Sequence, residues 1–237
     1  DACIQSKSHE WKNPKHKQQW YNTLERYAFP LIGSVPTRDI STDLVLQVLE
    51  PIWINKSETA SRVRQRIETI WDYAKARNYV TGDNPARLKG HLASLLPKTS
   101  KIKRIKPFPA LPYKEIGLFI SELRKQNGTS PLALEFLILT AARTIEVIGA
   151  KWEEIDLEDK VWIISADRMK AGKTHRVPLC GRAIQILQSI NTNRNPNDFI
   201  FMGIRKNKGL SQNTMLALLK QMQRSDITAH GFRSTFR

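Results

Sequence analysis

The sequence predicts a mainly α-helical fold with a small antiparallel β-sheet, an α+β chain of two domains. Three observations predict it. Apolar residues recur at helical spacing through most of residues 13–79 and again from residue 113 onward. The period changes between Ile155 and Val177, where a run of β-branched and aromatic residues is followed by a turn and a second extended run. Between the helical parts lies Pro97 to Pro109, with five basic residues, prolines at both margins and no amphipathic period. It reads as an extended interdomain linker.

The elements follow in order. Residues 13–28 form a helix: Asn13 can cap it, Pro14 suits its first turn, and Trp20, Leu24 and Tyr27 share a face, until Pro30 and Gly33 stop it. A short helix is expected from Thr42 to about Leu49. A longer one follows from Ser57 to Tyr79, with Val63, Ile67, Ile70 and Ala74 on one stripe. Asn84-Pro85 closes this bundle. After the linker, Tyr113 to about Gln126 is helical, and Pro131 to Ala150 is a mostly buried helix pair or bent helix. Val161 to Ile164 is a β-run, Lys170-Ala-Gly-Lys173 a turn, and Thr174 to Leu179 the returning strand. Helix resumes at Gly181 to Ile190 and at Asn213 to about Gln223.

Composition limits the function classes. With 237 residues, 41% of them hydrophobic, the chain can bury a core. Its longest apolar stretch, Leu132 to Ala142, is broken by Glu135 and is far short of the roughly 18 to 20 residues of a spanning helix. No membrane partner is expected. Cys3 and Cys180 lack metal-ligand spacing and support neither a disulfide framework nor a zinc cluster, which favours an intracellular protein. The chain opens on Asp, so it is expected to have been cut from something longer. Its net charge is +16, with +9 on residues 1–106 and +7 on residues 107–237. That is the footprint of a nucleic-acid binder, and its even spread fits a clamp better than a basic tail.

Three places hold polar groups that packing does not demand. Arg143 interrupts an apolar stretch, and Glu146, three residues on, can pair with it. Lys170 sits in the hairpin turn with Lys173 nearby. His230-Gly-Phe-Arg233 projects a His and an Arg to one side at the start of a helix, with Gly231 permitting close approach of a backbone or ligand. Each has a bland reading as well: an internal ion pair, a solvated turn, a surface pair. The same holds for Arg62, Arg64 and Arg66 on the third helix, and for Lys101, Lys103, Arg104 and Lys106 in the linker. These are solvated side chains or contacts to a DNA backbone or groove.

The order Arg143-x-x-Glu146, a hairpin with Lys170 before Val177-Pro-Leu179, then His230-Gly-Phe-Arg233 resembles the catalytic half of a tyrosine recombinase. The likeness is greatest to the phage P4-type integrases of prophages and genomic islands. Upstream, Asn13-Pro-Lys-His-Lys-Gln-Gln-Trp20, Thr23-Leu-Glu-Arg-Tyr-Ala-Phe-Pro30 and Asn84-Pro85 resemble that family's core-binding domain. The resemblance covers nearly the whole chain. It implies a helical, SAM-like core-binding domain over 1–97, a basic linker over 98–109, and a mixed catalytic domain over 110–237 that is incomplete at its C-terminus.

The resemblance also implies the chemistry. Such enzymes cut a DNA strand by attack of a tyrosine hydroxyl on the scissile phosphate, hold a 3′-phosphotyrosine, and reseal it with another strand's 5′-hydroxyl. Arg143 and Arg233 match the two arginines that hold the phosphate oxygens, and guanidinium forks suit that task without a metal. Lys170 matches the general acid, His230 an assisting acid or base, and Glu146 a supporting group. No cofactor and no metal are expected. The partner is double-stranded DNA, bound by a tetramer of the complete protein in the bacterial cytoplasm, at the nucleoid; this chain alone is expected to be monomeric. In the family the nucleophilic tyrosine follows the second arginine, whereas Tyr21, Tyr27, Tyr73, Tyr79 and Tyr113 all precede Arg143. The 237 residues are therefore expected not to cleave by themselves. The alternatives are a non-catalytic DNA-binding module or degenerate prophage remnant, and a type IB topoisomerase, which shares the chemistry without a defined site.

Overall fold

Apolar spacing becomes helix where capping and burial agree with it. A computed structural model of the chain describes residues 1–11, 14–98, 108–169, 171–190, 195–204 and 207–235. It forms two units, Asp1–Ile105 and Lys106–Arg237.

The first unit is helical: α1 (Ala2–Ser8), α2 (Pro14–Tyr27), α3 (Phe29–Ile32), α4 (Thr42–Trp53), α5 (Ser57–Ala76) and α6 (Ala93–Leu95). Leu24 of α2, Val45 and Leu49 of α4, and Ala60, Val63 and Ile67 of α5 meet in its core. Four expectations shift here. Pro30 does not end the helical path but sits in the first turn of α3, where no backbone N–H is required. The Ser41 hydroxyl caps α4 by accepting from the Leu44 N–H at 3.3 Å, and α4 runs past Leu49 through Pro51. Burial of Ile52 and Trp53 there outweighs the lost hydrogen bond. The Trp53 indole N–H also donates to the Pro97 carbonyl at 2.7 Å. Helix α5 stops three residues before Tyr79 because Asn78 turns left-handed, φ 59°, and the Tyr79 N–H bonds back to the Ala74 carbonyl at 2.9 Å. Helix α6 is too short to show a period, yet the flanking Leu92 and Leu96 are buried. Asn84 ties the following chain back to α5. Its amide donates to the Glu68 carbonyl and to Asp72, and its oxygen accepts from the Ala86 N–H.

The second unit packs helices around a three-stranded sheet. A short turn at Tyr113–Glu115 leads into α7 (Ile116–Leu123), then α8 (Thr129–Thr140) and α9 (Thr144–Ile148). The strands β1 (Ile155–Asp156), β2 (Val161–Ile164) and β3 (His175–Pro178) form one antiparallel sheet in the order β1-β2-β3, pairing Ile155 with Trp162 and Ile164 with His175. Strand β1 was not expected, since two residues carry no alternation. It exists because the Asp156 carboxylate turns the chain, accepting from the Glu158 and Asp159 N–H groups. Helices α10 (Gly181–Ile190), α11 (Thr214–Gln221) and α12 (Phe232–Thr235) complete the unit. Helix α8 is its axis: Ala133, Leu134, Phe136, Leu137 and Ile138 are all buried, and the Phe136 ring lies 5.4 Å from those of Trp162 and Phe201. Among the described residues no helix is long and apolar enough to cross a membrane.

Candidate active site

Arg143 sits at the N-terminal cap of α9 rather than within a helix, with extended backbone angles. Glu146, at the third position of α9, reaches back to it twice. One carboxylate oxygen accepts from the Arg143 backbone N–H at 2.8 Å, and the other from Nη1 of its guanidinium at 2.5 Å. The carboxylate is buried and the guanidinium is not, with side-chain exposures of 4% and 39%. Glu146 therefore fixes one edge of the guanidinium, which makes no other hydrogen bond among the described residues. Its remaining N–H donors are free to meet an anion.

Arg233 arrives from the other end of the sequence. Its Nη1 donates to the Ala141 carbonyl, two residues before Arg143, so the loop between α8 and α9 holds both arginines. The preceding motif is docked on the 109–111 segment. The Thr228 N–H donates to the Pro109 carbonyl at 3.2 Å, and the Thr235 hydroxyl to the Leu111 carbonyl at 2.8 Å. Gly231 faces the Pro109 carbonyl so closely that a Cβ there would overlap it. The close approach expected at Gly231 is thus made by backbone. His230 stays exposed, its ring edge-on to Phe108 with centroids 4.7 Å apart. It lines a cavity of about 340 Å³ together with Thr144 and Ile145, the residues that follow Arg143. Two guanidiniums and an imidazole are thereby gathered around one end of α9, a donor set suited to a phosphodiester.

A second ion-pair network lies behind α9. The Arg168 guanidinium forks onto both carboxylate oxygens of Glu154 through Nη1, and its Nη2 donates to the Glu146 carbonyl at 2.6 Å. Glu154 is buried and also accepts from the Trp162 indole N–H at 3.0 Å. Sequence reasoning passed over Arg168 and Glu154. The signal was an arginine two residues before the candidate lysine, and it looked like an ordinary turn residue.

Residues 110–237 match the phage integrase family, and residues 1–91 match the phage integrase central domain. The chain belongs to the phage integrase family. Prophage integrase IntZ of Escherichia coli K12 is 32% identical over 223 residues, covering 93% of this chain and 54% of that protein. The integrase of Enterobacteria phage P4 is 27% identical over 241 residues, covering 94% and 53%. That of Shigella phage Sf6 is 32% identical, covering 96% and 60%. The chain thus spans a little over half the length of these curated integrases. Among solved structures, a lambda integrase tetramer bound to a Holliday junction superposes with TM-score 0.73 at 16% identity, over 99% of this chain and 69% of that one. The Tn1549 transposon integrase in complex with circular intermediate DNA gives 0.69 at 16%, over 99% and 84%. These two likenesses bear on the fold.

The other integrase site expectations divide three ways. Lys170, Lys101, Lys103, Arg104 and Lys106 lie outside the described residues. Lys173 is exposed in the turn before β3, and Arg62 is exposed on α5 with an ion pair to Glu58 at 2.9 Å. Arg64 and Arg66 need correction, since both are buried, at 4% and 5% exposure. Nη1 of Arg64 donates to Glu68 at 2.6 Å and to the Ala86 carbonyl at 2.7 Å. That of Arg66 donates to the Gln19 carbonyl at 2.8 Å, and its guanidinium stacks over Trp20. These two guanidiniums are committed to internal partners rather than to solvent.

Proposed function

We propose that the complete protein is a site-specific DNA recombinase that integrates or excises a prophage or genomic island through a 3′-phosphotyrosine intermediate. The observation that carries this reading is the pair of anchored arginines, Arg143 on buried Glu146 and Arg233 on the Ala141 carbonyl, beside exposed His230. In the reaction a tyrosine hydroxyl gives up its proton, its oxygen bonds to phosphorus, and the P–O5′ bond breaks with a proton delivered to O5′. Arg143 and Arg233 hold the non-bridging oxygens as negative charge grows on them. Lys170 supplies the proton to O5′, and His230 assists as acid or base. Glu146 orients Arg143.

The partner is double-stranded DNA carrying an attachment site, and the complete protein works as a tetramer at the nucleoid. The DNA-bound lambda and Tn1549 integrases support the DNA partner. Residues 1–97 serve as the core-binding domain, 98–109 as a basic linker and 110–237 as the catalytic domain. Arg62, Lys173 and the basic linker residues are its candidate backbone contacts. None of the five tyrosines in residues 1–237 stands after Arg233, where the resemblance puts the nucleophile.

The test is Arg143→Ala in the complete protein. Attachment-site binding is expected to stay nearly unchanged while the cleavage rate falls about 10²- to 10³-fold, the usual cost of losing one donor to a developing oxyanion. Equal loss of binding and cleavage would remove the assigned role. A covalent DNA adduct formed by the 237-residue chain alone would overturn the placement of the nucleophile.

A further inference from the structure

Behind the anchored Arg143 runs a continuous chain of hydrogen bonds that the proposed chemistry does not use. Glu146 takes the Arg143 guanidinium on its side chain and the Arg168 guanidinium on its backbone carbonyl. Arg168 in turn is clamped by Glu154, which Trp162 of β2 also engages. Arg168 closes a short helical turn, Ala166–Arg168, that leaves the end of β2, and Met169 beside it packs against the core. Room for the guanidinium is made by Gly149, where a Cβ would come within 2.8 Å of Nη2 and 3.1 Å of the Ile145 carbonyl. A planar fork meeting a carboxylate and a carbonyl fixes orientation as well as distance, which a lysine at the same place would not do.

We propose that Arg168 is a positioning residue: it locks the departing end of β2 to the helix that presents Arg143, and so sets where the general-acid lysine stands relative to the phosphate those arginines hold. Lys170 follows Arg168 by two residues, and two residues of extended chain span at most about 7 Å. The acid is therefore joined, two residues along the chain, to a residue whose guanidinium is bonded directly to α9. Proton delivery to O5′ requires donor and acceptor within hydrogen-bond reach in the transition state. Loss of the anchor releases the acid without removing it, whereas the arginines keep Glu146 and the Ala141 carbonyl as their own supports. This inference rests on Lys170 being the general acid.

The test uses the complete recombinase and two attachment-site duplexes, one with the natural phosphodiester and one with sulfur replacing the bridging O5′ at the cleavage position. A thiol ionises near about 8.5, so the sulfur leaves as thiolate and needs no proton. Single-turnover cleavage is measured for wild type, Arg168→Ala, Arg168→Lys, Gly149→Ala and Lys170→Ala, with attachment-site binding and thermal melting recorded to show that each variant is folded. On the phosphodiester, Arg168→Ala is expected to lose roughly 10- to 100-fold, the scale of a misplacement of about 1 Å. Lys170→Ala is expected to lose about 10²-fold or more. On the sulfur substrate both return to within about threefold of wild type, as proton delivery no longer limits the rate. Arg168→Lys keeps the charge but not the fork, and Gly149→Ala displaces the fork without removing it, so both are expected to share this pattern. Rescue of Lys170→Ala with equal impairment of the Arg168 variants and Gly149→Ala on both substrates overturns the inference alone and makes Arg168 a stability residue. Failure to rescue Lys170→Ala overturns the lysine's role and the inference with it.

Discussion

Ala141 carries the geometry of the site in a single dihedral. It holds φ 48° and ψ 26° at the end of α8, a left-handed conformation that costs a residue with a Cβ about 1–2 kcal/mol. The strain is maintained because the carbonyl of this residue receives Arg233 and the chain turns there to place Arg143 at the head of α9. Glycine occupies this conformation freely. Ala141→Gly is therefore expected to raise stability by about 0.5–1 kcal/mol after the extra unfolded-state entropy of glycine is set against the relief. Thermal melting of the chain measures it, and a lower melting temperature would mean that the turn is not strained. Gly231 is the opposite case: Gly231→Ala must push the His230–Arg233 motif off the Pro109 carbonyl. A loss of stability of about 1–3 kcal/mol is expected, the usual range for forcing extra volume into a packed contact. An unchanged melting curve would show that the 109–111 segment yields instead. At this scale the sequence was legible where charge interrupted apolar runs, as at Arg143 and Glu146. It misled at Arg64 and Arg66, which flank the buried Val63 and Ile67 on α5. A guanidinium beside an apolar stripe has the same letter whether it meets solvent or reaches a carbonyl of a neighbouring helix, and only packing separates the two.

Helix α8 shows how an element tolerates one acid in an apolar run. Glu135 is buried at its centre, and its carboxylate takes hydrogen bonds from Arg182 on α10, at 2.8 and 3.0 Å, and from Arg124 just past α7, at 2.9 and 2.6 Å. Burial alone would push this carboxyl up, but the hydrogen bonds from Arg182 and Arg124 overcome it and hold the group below its ordinary value of 4.5. The unfolded chain then takes up the proton before the folded chain does. The stabilisation is complete above the ordinary carboxylate range and disappears as pH falls through the lower folded value. Glu135→Gln leaves two arginines facing a neutral amide. We expect a loss of about 2–3 kcal/mol near neutrality, less than for a fully enclosed pair because both arginines are partly exposed. The gap between the melting curves of wild type and variant is expected to narrow from pH 6 to pH 3, and a constant gap would remove the linkage. The sequence showed Glu135 as the break in the run from Leu132 to Ala142 but not its partners, which lie 11 positions before it and 47 after. Two elements were legible to the residue, Val161–Ile164 and Gly181–Ile190. Strand β1 and helix α6 were not, because two or three residues carry no period, and α4 overran its expected end because Trp53 has a buried site waiting for it.

At the scale of the molecule, charge separates the readings of function. The two stretches 1–106 and 107–237 carry +9 and +7, so positive charge is distributed along the chain rather than concentrated in one tail. Arg64 and Arg66 contribute to that total although their guanidiniums are buried and bound internally. Arg62 and Lys173, exposed among the described residues, are the proposed backbone contacts, and contacts of that kind add by counterion release rather than by base readout. Each neutralised phosphate steepens the fall of affinity with salt by about 0.9 in a double-logarithmic plot. A duplex held through about six phosphates therefore loses on the order of 10³-fold in affinity between 50 and 200 mM salt. We expect that decline for the chain on any duplex, measured by fluorescence anisotropy across that range. The charge variants supply the internal check. Lys173→Ala and Arg62→Ala each reduce the slope by about one if their side chains lie on phosphate. Arg66→Gln, even if folded and tested at the same concentrations, leaves the slope unchanged. A flat salt response, or a slope that changes on removing Arg66 but not Lys173, would take the electrostatic account away. Competition then divides recombinase from topoisomerase, because random duplex displaces a protein that only counts phosphates and fails to displace one that also reads a defined site.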